Sequence, residues 1–277
     1  MNLERVYGRA ERELKAMLSA IDPLNFDAEK AEKIRRTAQS LAQGLNLAAK
    51  EWTETDIPGA YTLGARRARV ALEILGRKPR RQLVSKLAII HMDALETLVK
   101  ANLSIPRTVD EILQAALVGA QTARSAQVQE FDRRKTLRKF EELGEEAVEA
   151  EISRGELKKQ IMDYLRRRIT EDGLILVKGK YWDARKYAKL VARTELRKAQ
   201  TEATKNLCAQ YENDLVQVSS HGTVCDICIP FEGNVYSISG NDPVYPALTD
   251  DPPYHPHCEH SIHPTSHEAI KARGIFG

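Results

Sequence analysis

The stretch CDICIPFEGNVYSISGNDPVYPALTDDPPYHPHCEHSIH, residues 225–263, holds three of the chain's four cysteines and four of its seven histidines. His221 and His267 flank it, so only Cys208 and His91 lie elsewhere. Cys225 and Cys228 form a CxxC on what reads as a turn between two strands. Such a turn can place two thiolates on one side of a metal, with backbone amides aimed at the sulfurs to favour their charged form. The second half of a site begins after 26 intervening residues, in HPHCEH. Zinc takes four ligands in a tetrahedron, and thiolates with imidazole suit it better than calcium or magnesium. The candidate metal ligands are four of Cys225, Cys228, His255, Cys258 and His260, with all three thiols included and His257 and His263 as spares. A site closed by three or four strong protein ligands points to a structural zinc rather than a catalytic one.

Other chemistries fit the cluster less well. A thioredoxin-like redox pair needs a βαβ context with a preceding Trp, which is missing here. A zinc deaminase pairs HxE with a later PCxxC. In this chain His257, Cys258 and Glu259 come after the CxxC, and Val224 precedes Cys225 where Pro is required. A histidine–metal nuclease is the better rival, because Asp242, Asp250 and Asp251 lie close by. Those acids sit in NDP and TDDPP, where turn formation accounts for them. No nucleophile–base pair or glycine-rich phosphate loop appears, so the expectation is a protein that is not an enzyme.

Composition frames the remainder. The chain has 277 residues, 6% aromatic and 29% charged, which favours a helix-rich, extended protein over a compact sandwich. From Asp214 onward there are eight acidic residues against Lys271 and Arg273, a net −6. The remainder of this +3 chain therefore carries +9. A basic helical body joined to an acidic tail module is the coarse picture. The opening MNLERVYGRAERELK has no apolar core of the signal-peptide kind, and no apolar window long enough to span a bilayer follows, so a soluble protein made in a cytoplasm is expected. In that reducing setting a CxxC is a metal knuckle sooner than a disulfide.

Helical periodicity governs the first two hundred residues. Val6, Ala10, Leu14, Met17, Leu18 and Ile21 mark a first helix, interrupted by DPLN. A second is predicted over 27–52, ending before TDIPG, and a third over 62–75, stopped by Gly76 with Pro79 beyond. A fourth, over 82–102, ends before SIPRT, where Thr108 and Glu111 read as a capping box for the next helix. Val109, Ile112, Leu113, Ala116, Leu117 and Ala120 then share one face. A charged helical stretch over 131–170, broken near Gly144 or Gly155, leads to GLILVKGKYW, which reads as a short strand and turn. A helix over 183–212 follows, and then DLVQVSS and NVYSIS alternate at period two as half-buried strands do. His91 shares the face of Leu87, Ala94 and Leu98 and reads as a satisfied, partly buried histidine. Cys208 reads as a small apolar residue, and Arg193 and Glu195 as ion-pair braces between helix and module. The runs RRAR, GRKPRR, RRKTLRK and RRR are solvated helix faces that can touch a phosphate backbone without reading sequence.

Several of these motifs together resemble a known family. VSSHGTVCDICIPFEGNVYSISG, then VYPAL, then YHPHCEHSI, is similar to the C-terminal module of phage minor capsid and head-morphogenesis proteins, the Mu F-like and minor capsid protein 2-like group. The pattern falls on Cys225, Cys228, His255, Cys258 and His260. YWDARKYAKLVARTELRKAQ resembles the helix before that module, with Tyr187, Ala192, Arg193, Thr194 and Glu195 matching best. The chain departs at His257 and Glu259, where the family commonly has Asn and Arg. The resemblance covers about residues 172–265.

The fold class expected from all this is mainly α with a small C-terminal α+β zinc-binding module and an elongated helical body. The division is a helical N-terminal domain over 1–130, a charged helical connector over 131–171 and the Mu F-like module over 172–277. The resemblance implies a minor capsid protein inside the head near the portal, assembled in the host bacterial cytoplasm and aiding assembly or genome packaging and delivery. Its implied partners are the portal or major capsid protein, with packaged DNA reached through the basic helical faces and no membrane before infection. The alternatives are a metal-dependent nuclease or toxin-like effector, and a cytoplasmic DNA-binding protein.

Overall fold

The computed structural model describes residues 2–22, 25–80, 87–124, 154–170 and 173–273. The described chain is mostly helical, with a few short antiparallel strands toward its C-terminus. Its helices are α1 (Leu3–Ser19), α2 (Ala28–Ile74), α3 (Leu87–Asn102), α4 (Ser104–Arg124), α5 (Arg154–Thr170), α6 (Ala184–Gln210) and α7 (His267–Ala272). The strands are β1 (Ile175–Val177), β2 (Lys180–Trp182), β3 (Leu215–Val218), β4 (Val235–Ser237) and β5 (Ile262–Pro264). Two compact units form. The first comprises Met1–Leu3, Ala49–Leu98 and Ala188–Gly277, and the second comprises Glu4–Ala48 and Val99–Tyr187. Most of the expected charged connector, residues 131–153 and 171, lies outside the described residues, as does the run RRKTLRK.

In the second unit the predicted periodicity of α1 and α4 holds. α1 buries Tyr7, Ala10, Leu14 and Leu18, and α4 buries Val109, Ile112, Leu113, Ala116 and Ala120. The capping box at Thr108 and Glu111 does not form. α4 begins four residues earlier, so Thr108 lies inside it and its hydroxyl donates to the Ser104 carbonyl (3.0 Å). Only Leu103 separates α3 from α4, because Pro106 falls in the first turn, where an N–H would have no helical acceptor anyway. Glu111 instead accepts hydrogen bonds from the Tyr181 hydroxyl (2.9 Å) and Arg168 (3.2 Å), whose guanidinium also stacks on the Tyr181 ring. Arg168, at the end of the RRR run, is thus engaged in packing.

The strand and turn read in GLILVKGKYW form an antiparallel hairpin, with Ile175 opposite Trp182 and Val177 opposite Lys180. Lys178 and Gly179 both have positive φ (48° and 75°), the backbone of a type I′ turn. Ser104 Oγ accepts from the Leu176 amide (2.9 Å), fastening β1 to the start of α4. Asp183 caps the next helix, its carboxylate accepting from the Lys186 amide (2.9 Å).

α2 overturns one expectation. The break at TDIPG is absent, and one 47-residue helix runs through Pro58. A proline inside a helix costs about 3 kcal/mol. Here Trp52, Ile57 and Ala60 are all buried around it, and a broken helix would leave those side chains exposed. The end at Gly76 is as predicted, with Gly76 and Arg77 amides donating to Glu73 and Leu72 carbonyls (both 2.9 Å). In the first unit α2 meets α6 at Gly64. A Cβ there would stand 2.7 Å from the Gln200 Cα and carbonyl oxygen, so only glycine permits this approach. Ala68, Leu72, Leu207 and Tyr211 fill the adjoining contact.

β3 and β4 are the two strands read from DLVQVSS and NVYSIS. β5 is an addition that only the fold supplies, and the sheet order is β4-β3-β5, antiparallel throughout. One face of the sheet packs Val216, Val218 and Ile262 on Cys208, with Phe231, Tyr236 and Tyr254 at the margin. The other packs Leu215 and Val235 on Ile270 of α7. Cys208 is fully buried and its thiol is pushed up to about 12 by burial, as suits a small apolar residue. His91 is half-buried, 3.3 Å from the Thr53 hydroxyl.

Candidate metal centre

The CxxC turn leaves β3 and returns to β4, while residues 255–260 lead into β5. The central position of β3 therefore brings two segments about 30 residues apart to one end of the sheet. Cys228 and Ile229 amides both donate to the Cys225 carbonyl (2.9 Å), which curls the knuckle and aims both side chains inward. Across from it, the Cys258 amide donates to the His255 carbonyl (3.0 Å), closing a tight turn in which His257 takes a φ of 68°. Tyr254 stacks on Phe231 with ring centroids 4.2 Å apart, fixing the entry to this turn against the knuckle.

The five predicted residues meet here in two triads that share Cys228: Cys225, Cys228 and His255, and Cys228, Cys258 and His260. Within each, the ligand atoms lie within 4.8 Å of one another, so this cluster can hold a metal ion. His255 Nε2 is 3.3 Å from Cys225 Sγ and 3.0 Å from Cys228 Sγ. Cys228 and Cys258 sulfurs are 3.8 Å apart, and His260 Nδ1 is 3.6 Å from Cys258 Sγ. Around a tetrahedral zinc with Zn–S near 2.3 Å and Zn–N near 2.0 Å, the S···S edges are about 3.8 Å and the N···S edges about 3.5 Å. The soft donor set suits such an ion, and the edges within each triad approach these values.

The supporting shell is equally specific. His255 Nδ1 lies 2.6 Å from the Pro256 carbonyl, an acceptor, which leaves Nε2 as the lone-pair nitrogen facing the sulfurs. His260 is buried, and its Nε2 lies 3.5 Å from Glu232 Oε1. The carboxylate faces this nitrogen without a hydrogen bond to it, a placement from which it could orient the ring on a small approach. Glu232 also accepts from the His221 amide and from the Thr223 amide (2.9 Å), so one carboxylate holds the CxxC approach beside His260. The His221 bond, with burial opposed to it, holds the Glu232 carboxyl below its usual range. Amides of Cys228 and then Ile227 lower the Cys225 thiol, the favouring of thiolate expected of a knuckle. Burial, followed by the neighbouring thiols, pushes Cys228 up to about 12. A metal bound there must displace the Cys228 proton, so acidification opposes binding.

The spare histidines stay outside the triads. His257 is exposed, and His263 pairs with Ser261 Oγ (3.2 Å). Asp242 and Asp251 are spent in turns and packing. Asp242 accepts from the Val244 and Tyr245 amides and lies 2.8 Å from His267, and Asp251 pairs with Lys205 at 2.6 Å. The bracing expected of Arg193 and Glu195 is done by other residues. Glu195 is buried against Lys198 (2.8 Å), Arg193 is exposed, and it is Arg197 that donates to the Glu259 carbonyl (2.6 Å). Glu232 and Arg197 carry no local sequence signal for these roles, since His260 lies 28 residues from Glu232 and Glu259 lies 62 from Arg197.

The family model for phage minor capsid protein 2 matches residues 76–266, more than half of the chain. The matched span begins at the end of α2 and includes α6 and all five cluster residues. Neither a curated protein nor a solved structure matches the chain.

Proposed function

The chain belongs to the phage minor capsid protein 2 family and is a phage structural protein, and from that premise we propose that it is a minor component of the virion, inside the head near the portal. There it aids assembly or genome packaging and delivery by docking on the portal or major capsid protein, with its basic helical faces toward packaged DNA. Residues 172–277 act as the stapled module of that protein. The reading is non-enzymatic: the cluster's donors are taken up as ligands, and the nearby acids Asp242 and Asp251 are already engaged. Among the described residues no helix is long and apolar enough to cross a membrane. Mass spectrometry of purified particles is the direct test. Recovery of this chain at low, fixed copy number is expected, and its absence from particles would refute the assignment. Metal-dependent cleavage of nucleic acid, lost in a folded His255→Ala variant, would replace it with the nuclease reading.

The observation that carries the module's role is the convergence of three thiols and two imidazoles at one end of the sheet. We assign one structural zinc to Cys225, Cys228, Cys258 and His255. His255 Nε2 stands near two of the three sulfurs, whereas His260 comes within 3.6 Å of one. His260 then supports the Cys258 sulfur from 3.6 Å away, with Glu232 facing its far nitrogen. Native mass spectrometry of reduced protein is expected to give one zinc per chain. His255→Ala should abolish stoichiometric zinc, while His260→Ala should weaken it by about 10–100-fold, the usual cost of losing a residue that supports a ligand without binding the metal. The reverse order would make His260 the fourth ligand.

A further inference from the structure

We infer that a cleft beside the metal centre, walled by Arg67, Arg193 and Arg197, is a binding site for the phosphodiester backbone of a nucleic acid. The cleft has a volume of ≈ 390 Å³, and the turn formed by His257, Cys258 and Glu259 closes one side of it. It owes its existence to the close helix crossing at Gly64. Arg67 lies one turn beyond that glycine on α2, and Arg197 lies one turn before its contact residue Gln200 on α6. Arg193 precedes Arg197 by four residues, so both project from one face of α6. Three guanidinium groups thereby converge from two helices that sequence separates by more than a hundred residues.

The charge in the cleft is unbalanced. Three arginines face a single carboxylate, that of Glu259, leaving an excess of two positive charges among the lining side chains. Arg67 and Arg193 are exposed, and Arg197 gives one N–H to the Glu259 carbonyl while its other donors remain on a planar fork. Thr194 and Gln200 add neutral hydrogen-bonding groups. Guanidinium forks match phosphate oxygens in pairs, which ammonium groups do not. No Phe, Tyr or Trp lines the cleft and His257 is its one ring, so there is no platform for successive bases, and the site suits a backbone read without sequence preference. The identity of the ligand rests on the proposed contact with packaged genome, whereas the oxyanion chemistry of the cleft does not.

The test uses the full zinc-loaded chain and a double-stranded oligonucleotide, with affinity measured across a salt series. Arg67→Gln with Arg193→Gln is expected to weaken binding by about tenfold or more and to reduce the salt slope by about 2, near one for each phosphate contact removed. Lys178→Gln with Lys180→Gln, an equal change of net charge at exposed residues of the β1–β2 hairpin and outside the basic runs, should change both quantities much less. Inorganic phosphate should compete in the wild type. Equal effects of the two charge-neutralising pairs would reduce the cleft to net charge and overturn the site. Phosphate binding without oligonucleotide binding would overturn the polynucleotide as its ligand. Unchanged zinc content and circular dichroism establish that the variants fold. Incorporation of the wild type into particles, measured separately, decides the virion reading whatever the cleft does.

Discussion

Replacing Cys228 by serine should strip the protein of its metal and unfold the segment after Asp214, while most of the helical circular dichroism survives. Cys228 is the one residue common to both triads, 3.0 Å from His255 Nε2 and 3.8 Å from Cys258 Sγ. It is also 1% exposed, so water cannot replace what the thiolate provides. The sheet beneath it is small: three apolar side chains and Cys208 on one face, and a second group of three on the other. A segment of about 60 residues with cores this size normally needs a metal or disulfide staple. Structural zinc contributes apparent free energies of about 10–16 kcal/mol in small zinc-dependent folds. The loss of affinity should therefore exceed the ~10–100-fold expected for His260→Ala. Metal analysis and limited proteolysis read the two consequences, with new cleavage expected after Asp214. Stoichiometric zinc in a folded Cys228→Ser protein would disprove the staple. Loss of all helicity would show that the helices depend on the module, contrary to the separate apolar faces of α1 and α4.

Gly173→Ala is the second large effect expected, and it lies in the other unit. Gly173 has a φ of +76°, and a Cβ added to it would stand 2.3 Å from the carbonyl carbon and oxygen of Trp182. Both neighbours are backbone atoms of the hairpin, so no side-chain rotation relieves the clash. The hairpin must shift, and with it the Leu176 bond to Ser104 and the Tyr181 bond to Glu111. Left-handed strain and overpacking each cost about 1–3 kcal/mol, and combined here they place the change among the severe ones, roughly 4 kcal/mol. Urea denaturation followed by circular dichroism measures it. A loss under about 1 kcal/mol would mean that the hairpin relaxes freely and does not hold the start of α4.

The proposed structural zinc would also account for so polar a cluster at a sheet end. Cys228, Cys258 and His260 are all buried, and without a shared cation their donors and acceptors are poorly matched. With one, each triad's thiols and imidazole would share the ion, and the Pro256 carbonyl orients the His255 ring from behind. The chemistry of the residues thus argues for a fold-holding metal, in keeping with a structural family.

Residue types and spacing alone pointed to the cluster of thiols and imidazoles that can hold a metal ion. Sulfur and imidazole at those intervals serve few other purposes, and the alternating strands on either side of the CxxC set its turn. The faces of α1 and α4 were legible for a similar reason, since a 3.6-residue apolar period depends only on local geometry. The glycine stop after α2 belongs with them. Tertiary structure decided what no local rule could. Pro58 reads as a break, yet burial of Trp52 and Ile57 outweighs the lost hydrogen bond and keeps α2 continuous. Thr108 and Glu111 match a capping box, yet the helix start was claimed upstream by Ser104, which is held by β1. β5 has too few residues to show a period, and it exists because β3 offers a free edge beside the metal turn. Glu232 faces His260, and Arg197 braces the turn at Glu259, across gaps that leave no pattern in the chain. Those contacts are set by how the elements pack, and packing joins residues by distance in space rather than by spacing in sequence.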